Sequence, residues 1–325
     1  MMLALQLVTY HSSGHLERLF ASLRAQTMCD WTLFARDHSE DAQEMARVER
    51  ALQGSGLPYV FEAGKNLGFG CGHNILLAKH QASLVALVNP DIDADPDYYE
   101  RLVEVLMQRP ELAAVQGALF RGVRGSCVVD SLGLRPLGMG DVRDLGAGDG
   151  VSAWEARFSV GPFAVFGVSG AAPVFRRASL EAVASSRAPF LDERFFMYKE
   201  DVELGIRLHR AGFAAMCVPD ARAYHLRALG RATLWERLKN EFRRSPRVRV
   251  ASTANHWKIY LLHGEMRQSW RGWFRTLFAE AGRSGTLLLP PTLFLRATQT
   301  FFHDARSLLA SRKEYHARFI KKWFV

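Results

Sequence analysis

Cysteine is scarce in this chain: four residues in 325, Cys29, Cys71, Cys127 and Cys217, all widely separated. No two have zinc-ligand spacing, and a disulfide framework would be denser, so the sequence points to a reducing compartment. Long apolar runs are also missing. No stretch reaches about eighteen uninterrupted apolar residues, which argues against a spanning helix. Met1 to Thr9 is apolar but has neither a basic leading segment nor a cleavage site. It is expected to be a first strand and not a signal peptide. Three further patterns are lacking: the Gly-Lys-Ser/Thr ending of a P-loop, a recognised nucleic-acid motif, and a Ser-His-Asp or Cys-His arrangement for covalent catalysis.

What is present begins with 48% hydrophobic residues, enough for a sizeable core. The net charge of +9 is unevenly spread. Residues 231–325 hold 19 Lys+Arg against 6 Asp+Glu, a net of +13, whereas the first 230 carry 23 against 27, a net of −4. A mildly acidic body therefore precedes a strongly basic tail, which calls for an anionic partner. The tail sets large apolar residues among its cations: Trp235, Leu238 and Phe242; Trp257, Tyr260 and Leu261; Trp270, Trp273, Phe274, Leu277 and Phe278. Thr286 to Leu295 is apolar but broken by Pro290-Pro291. Basic amphipathic helices lying on a membrane surface fit this pattern, with packing on the body or in an oligomer as the alternative. Two regions are expected, a catalytic body over 1–230 and a basic helical region over 231–325. On that reading, deleting 233–325 releases the protein from anionic liposomes.

The body alternates strands and helices. Leu3 to Thr9, Trp31 to Ala35 and Tyr59 to Glu62 have strand character, with amphipathic helices between them, as in a parallel sheet with crossover helices. Ser12 or Ser13 is expected to cap the first helix and Ser39 the second. The run Leu84 to Val88 suits a strand buried on both faces, and Pro90 ends it. Asp91, Asp93, Asp95 and Asp97 follow at its carboxyl end, the edge where open α/β sheets bind ligands. Carboxylates there can hold a hard divalent cation, and the cation a diphosphate. Asp95 and Asp97 also suit the N-terminus of the helix that starts near Pro96.

Asn66-Leu67-Gly68-Phe69-Gly70-Cys71-Gly72 is a loop whose glycines permit sharp turns and close approach to a ligand. Residues 121–160 are glycine-rich and are expected to form hairpins or loops over the site. A small-residue turn, Gly167 to Ala172, leads into a strand ending in Arg176-Arg177. Aromatic residues then precede Glu200-Asp201, at the start of a helix that Gly212 stops. A strand over Ala214 to Val218 is followed by Tyr224-His225, and His225 is a candidate metal ligand.

Five of these blocks, in order, resemble the family 2 glycosyltransferases, and most closely their bacterial rhamnosyltransferase-like branch. They are Val8-Thr9-Tyr10, Asp37-His38-Ser39, Asn66-Leu67-Gly68-Phe69-Gly70, Asn89-Pro90-Asp91 and Glu200-Asp201-Val202-Glu203-Leu204. The resemblance covers roughly residues 3–227. It implies the GT-A fold of nucleotide-diphospho-sugar transferases, a mostly parallel sheet flanked by helices, and an inverting reaction. Thr9 and Tyr10 would line the nucleotide site, Asp37 would contact the base or ribose, and Asn66 and Gly68 would lie beside the nucleoside. Asn89-Pro90-Asp91 stands at the family's Asp-X-Asp position, so Asp91 would hold Mg²⁺ or Mn²⁺, with His225 as a second ligand. Asn89 replaces the motif's first Asp. Asp201 would be the catalytic base with Glu200 beside it, and Arg176 or Arg177 would face the sugar or phosphates. Glu203 stands where the family usually has Asp.

The implied donor is dTDP-L-rhamnose, with UDP-sugars as the alternative, and the implied acceptor a saccharide, free or polyprenyl-linked, in cell-surface polysaccharide synthesis. The expected location is cytoplasmic, peripheral on the inner face of the cell membrane, with no nucleic-acid partner. Two rival readings are a nucleic-acid-binding protein using its basic tail and a catalytically silent scaffold with this fold.

Overall fold

The computed structural model describes residues 2–138, 141–186, 188–226, 245–264 and 291–318. Strands β1 (Leu3–Thr9), β2 (Trp31–Asp37), β3 (Tyr59–Ala63) and β4 (Leu84–Leu87) are linked through helices α1 (Ser13–Arg24), α2 (Ala42–Gln53) and α3 (Phe69–Leu77). All four strands are parallel, in the order β4-β1-β2-β3. Leu3, Leu5 and Leu7 of β1 and the whole of β4 are buried, as a two-sided central strand pair requires.

The second half of the sheet is mixed. It is built from β5 (Ile92–Ala94), α4 (Tyr98–Gln108), β6 (Leu112–Arg121), β7 (Val129–Ser131), the hairpin β8 (Leu134–Gly138) and β9 (Asp141–Asp144), α5 (Glu155–Phe158), β10 (Phe163–Val165), β11 (Val174–Arg176), α6 (Arg177–Ala182), α7 (Glu200–Arg210) and β12 (Ala214–His225). β11 lies antiparallel between β4 and β6, and β12 runs parallel to β6. Within 121–160, β7 joins the main sheet on β6 while β8 and β9 pair with each other.

Local details depart from expectation where several polar residues compete. Asp41, not Ser39, caps α2, accepting from the backbone N–H groups of Gln43 and Glu44. Ser39 bonds to Asp37 instead. Neither Ser12 nor Asp97 makes a side-chain cap. Asp97 pairs with Arg101, one helical turn on. β12 continues past Pro219 to His225, because its pairing with β6 shifts register between Val218 and Arg222 and so steps over the proline.

In the basic region, α8 (Pro246–His263) and α9 (Pro291–Arg318) pack on each other and on the body. Leu262 and Leu308 join the core cluster of Phe190, Leu204 and Leu208, and Ile259 packs with Phe195, Val202 and Ile206. Lys258, although basic, is buried: its Nζ lies 2.8 Å from Asp304 and donates to the Arg194 carbonyl at 2.6 Å. Among the described residues no helix is long and apolar enough to cross a membrane. Trp235, Leu238, Phe242, Trp270, Trp273, Phe274, Leu277 and Phe278 lie outside the described residues.

Candidate active site

β4 delivers Asn89 and Asp91 to the carboxyl edge of the sheet. The Asn89 backbone N–H donates to the Ala171 carbonyl at 2.8 Å, which brings the small-residue turn alongside. β12 ends at the same edge, so His225 Nε2 lies 3.1 Å from Asp91 Oδ1. The imidazole is buried, and its Nδ1 lies 2.9 Å from Asp130 Oδ2. Arg121 in turn pairs with Asp130 at 2.9 Å. A carboxylate behind the far nitrogen of a histidine fixes ring orientation, as is usual behind metal-ligating imidazoles. Asp91 and His225 thus offer one oxygen and one nitrogen side by side. Among the described residues no group of three or more His, Cys, Asp or Glu is placed to hold a metal. A cation here would take its remaining ligands from substrate or water. Asp93 and Asp95 both pair with Arg124, so neither faces the Asp91–His225 pair as an open ligand.

Asp130 was not legible in the sequence. It is one of five acids in the glycine-rich stretch 121–160, and only the pairing of β7 with β6 carries it to His225. No spacing rule signals such a contact across 95 residues.

The parallel half of the sheet contributes the other wall. The Thr9 hydroxyl donates to Asp37 Oδ1 at 2.8 Å, and the Ser39 hydroxyl and backbone N–H donate to the same carboxylate. Asp37 is buried while the neighbouring Tyr10 ring is exposed at the end of β1. Asn66 Oδ1 accepts from Gly68 N–H at 3.1 Å, and Phe69 N–H donates to the Phe196 carbonyl at 2.8 Å. Gly68 has φ +89°, and a Cβ there would come within 2.3 Å of the Phe196 carbonyl oxygen. Only glycine fits both the conformation and the approach.

That contact ties the glycine loop to the segment leading into α7. Tyr198 and Lys199, with φ of 68° and 71°, are two consecutive non-glycine residues in the left-handed region. Such backbone costs roughly 1–3 kcal/mol per residue and persists where surroundings hold it. Asn255 of α8 holds it here, its Nδ2 donating to the Met197 and Tyr198 carbonyls at 2.8 and 2.9 Å. The result is that α7 starts at Glu200-Asp201 with Asp201 against the small-residue turn: Oδ2 accepts from Gly170 N–H at 3.1 Å and Oδ1 from Val202 N–H at 2.8 Å. Each oxygen keeps lone-pair capacity for a further donor. Glu203 is occupied by Arg207 and His263, which makes it a structural ion pair.

Glu200 differs from Asp201. It is buried, its Oε2 has no hydrogen-bond partner among the described residues, and burial together with the Asp201 charge pushes its carboxyl up to about 8. Near neutral pH a carboxyl raised this far holds its proton. A raised carboxyl also costs stability as pH rises. The unfolded chain releases this proton near 4.5 and the folded chain near 8, so stability falls across that window. Glu200→Gln removes the effect. The variant is expected to match the parent at pH 5 and to melt higher at pH 8, by on the order of a few kcal/mol in stability. Melting curves at the two pH values check this, and an equal offset at both refutes it.

Arg176 and Arg177 are not at the site. Arg176 pairs with Leu84, the first residue of β4, so both arginines sit at the amino edge of the sheet, opposite Asp91. Arg176 donates to the carbonyls of Leu106, Arg109 and Leu112, and Arg177 to those of Leu77, His80 and Ala82. The antiparallel direction of β11 is the reason: a parallel strand would have put them at the carboxyl edge.

Comparison with known proteins gives two kinds of likeness. Proteins from two strains of Mycobacterium tuberculosis, each named N-acetylglucosaminyl-diphospho-decaprenol L-rhamnosyltransferase, are 28% identical over 309 residues, covering 90% of this chain and 92% of their own. A solved structure of GalNAc-T7 with UDP, GalNAc and Mn²⁺ matches with a TM-score of 0.63 at 12% identity, which is a likeness of fold. The match covers 97% of this chain, which spans 54% of that longer one. No family model matches the chain.

Proposed function

We propose that this glycosyltransferase of GT-A fold is an inverting, family 2 enzyme that moves L-rhamnose from dTDP-L-rhamnose to a lipid-linked saccharide. The observation that carries the reading is the meeting of the Asp91–His225 pair, the Asn89–Ala171 contact and the Gly170–Asp201 contact at one sheet edge, in a homologue of L-rhamnosyltransferases. The catalytic unit spans residues 1–230, and the C-terminal helices bring it to an anionic membrane surface on the cytoplasmic side.

Asp201 is the general base. Its carboxylate is held by two backbone N–H groups and accepts the proton of the acceptor hydroxyl as that oxygen attacks the anomeric carbon. A new C–O bond forms as the bond to the diphosphate breaks on the opposite face, and the electron pair leaves with the diphosphate. One displacement inverts the anomeric centre, and no covalent enzyme intermediate is needed. Asp91 and His225 fit a divalent cation by their donor set, with Asp130 orienting the imidazole. Mg²⁺ or Mn²⁺ bound there offsets negative charge on the diphosphate. Thr9, Asp37 and Ser39 shape the nucleoside end, with Tyr10, Asn66 and Gly68 beside it.

A thermal-shift screen of dTDP, UDP, GDP and CDP, each with and without Mn²⁺, tests the reading, because a ligand of the native state raises the melting temperature by mass action. The expected result is a metal-dependent rise that is largest for dTDP. Folded protein that responds to none of them overturns it.

A further inference from the structure

The helix α9 has two faces of different chemistry. Its inner face carries the buried residues Leu293, Ala297, Leu308 and Ser311, with Asp304 paired to Lys258. Its outer face carries Leu295, Phe302 and Leu309, which are 59%, 66% and 46% exposed. They recur every seven residues, so at 100° per residue they form one stripe. Arg306 and Lys313 fall in the same stripe, and Arg296 flanks it. The one acid between residues 291 and 313 is Asp304, on the opposite face.

Large exposed apolar residues are ordinary one at a time, but a repeated stripe of them marks an interaction surface. Charge decides between occupants. A second copy of the helix would set Arg306 and Lys313 against like charges, which disfavours self-pairing. Lipid phosphates complement the cations while the acyl boundary receives the apolar side chains. We propose that the outer face of α9 lies on an anionic lipid bilayer, with Leu295, Phe302 and Leu309 inserted at the headgroup boundary and Arg296, Arg306 and Lys313 on the phosphates. This rests on the reading above that the enzyme works at a membrane, and it assigns the contact to a helix face. The inner face of α9 also touches the base-bearing segment, through Ser307 and Ser311 on Arg194. A bilayer under the outer face therefore lies one helix thickness from the segment that leads into Asp201.

The test uses the full-length chain and co-sedimentation with vesicles of phosphatidylcholine alone or with phosphatidylglycerol added. The parent is expected to bind the anionic vesicles and to release at high salt. A triple variant, Leu295→Gln with Phe302→Gln and Leu309→Gln, is expected to lose about tenfold or more in binding, and Arg306→Gln with Lys313→Gln to lose most of the salt-sensitive part. Both variants should keep the parent's melting temperature and its response to dTDP with Mn²⁺, which separates failure of this proposal from failure of the enzymatic reading. The proposal is overturned by a parent that ignores anionic vesicles, by a triple variant that binds them as the parent does, or by a parental dimer in light scattering that the triple variant turns into monomer without losing vesicle binding.

Discussion

Asp201→Asn is expected to lower kcat by about 10²- to 10⁴-fold, the usual worth of a positioned general base. Little else should change. The amide is close in shape to the carboxylate and can keep one of the two backbone hydrogen bonds, to Gly170 or to Val202. Losing the other costs roughly 1 kcal/mol of stability. The donor KM should stay near the parent value, since the residues at the nucleoside end and at the Asp91–His225 pair do not involve Asp201. Glu200→Gln serves as the contrast. Glu200 already holds a proton near neutral pH, so replacing it with a neutral amide is expected to leave kcat near the parent value. Steady-state rates with both variants, alongside their melting curves, make the check. An Asp201→Asn enzyme within a few-fold of the parent removes Asp201 from the chemistry.

The second large effect is on folding. A chain ended at residue 244, ahead of α8, is expected not to fold cooperatively. Ile259, Leu262 and Leu308 are fully buried against the body. Burying each side chain is worth roughly 1.5–3 kcal/mol, together about 5–9 kcal/mol, against a total stability of about 5–15 kcal/mol for a typical domain. The truncation also removes His263 from Glu203, Lys258 from the Arg194 carbonyl, and Asn255 from the Met197 and Tyr198 carbonyls beside the strained Tyr198–Lys199 pair. Deleting 233–325 is thus no clean assay of membrane binding, as the composition of the tail alone had implied, because the deletion takes part of the core with it. Near-UV circular dichroism and a thermal melt of the shortened chain decide the matter. A sharp transition near that of the full chain refutes the expectation.

Much of the architecture was legible in local pattern. Short apolar runs bounded by polar turns located β1, β2, β3 and β4, and Gly212, at φ +89°, marked the end of α7. These features depend on burial periodicity and backbone freedom, which a few adjacent residues express. Helix caps were harder. Ser39 and Asp41 lie two residues apart and either can cap, so the choice fell to Asp37, which engages Ser39 from the preceding strand.

The sequence by itself determined the strand-and-helix alternation, the acids at the end of β4, the acid pair at the start of α7 and the basic character of the tail. Each is a property of neighbours along the chain. Only the tertiary structure decided which way β11 runs, and with it that Arg176 and Arg177 belong to the far edge of the sheet. It alone joined Asp130 to His225 and buried Lys258 against Asp304. A charged side chain is placed by the partner that offsets its desolvation. Here that partner comes from a separate strand or helix, so no local reading finds it.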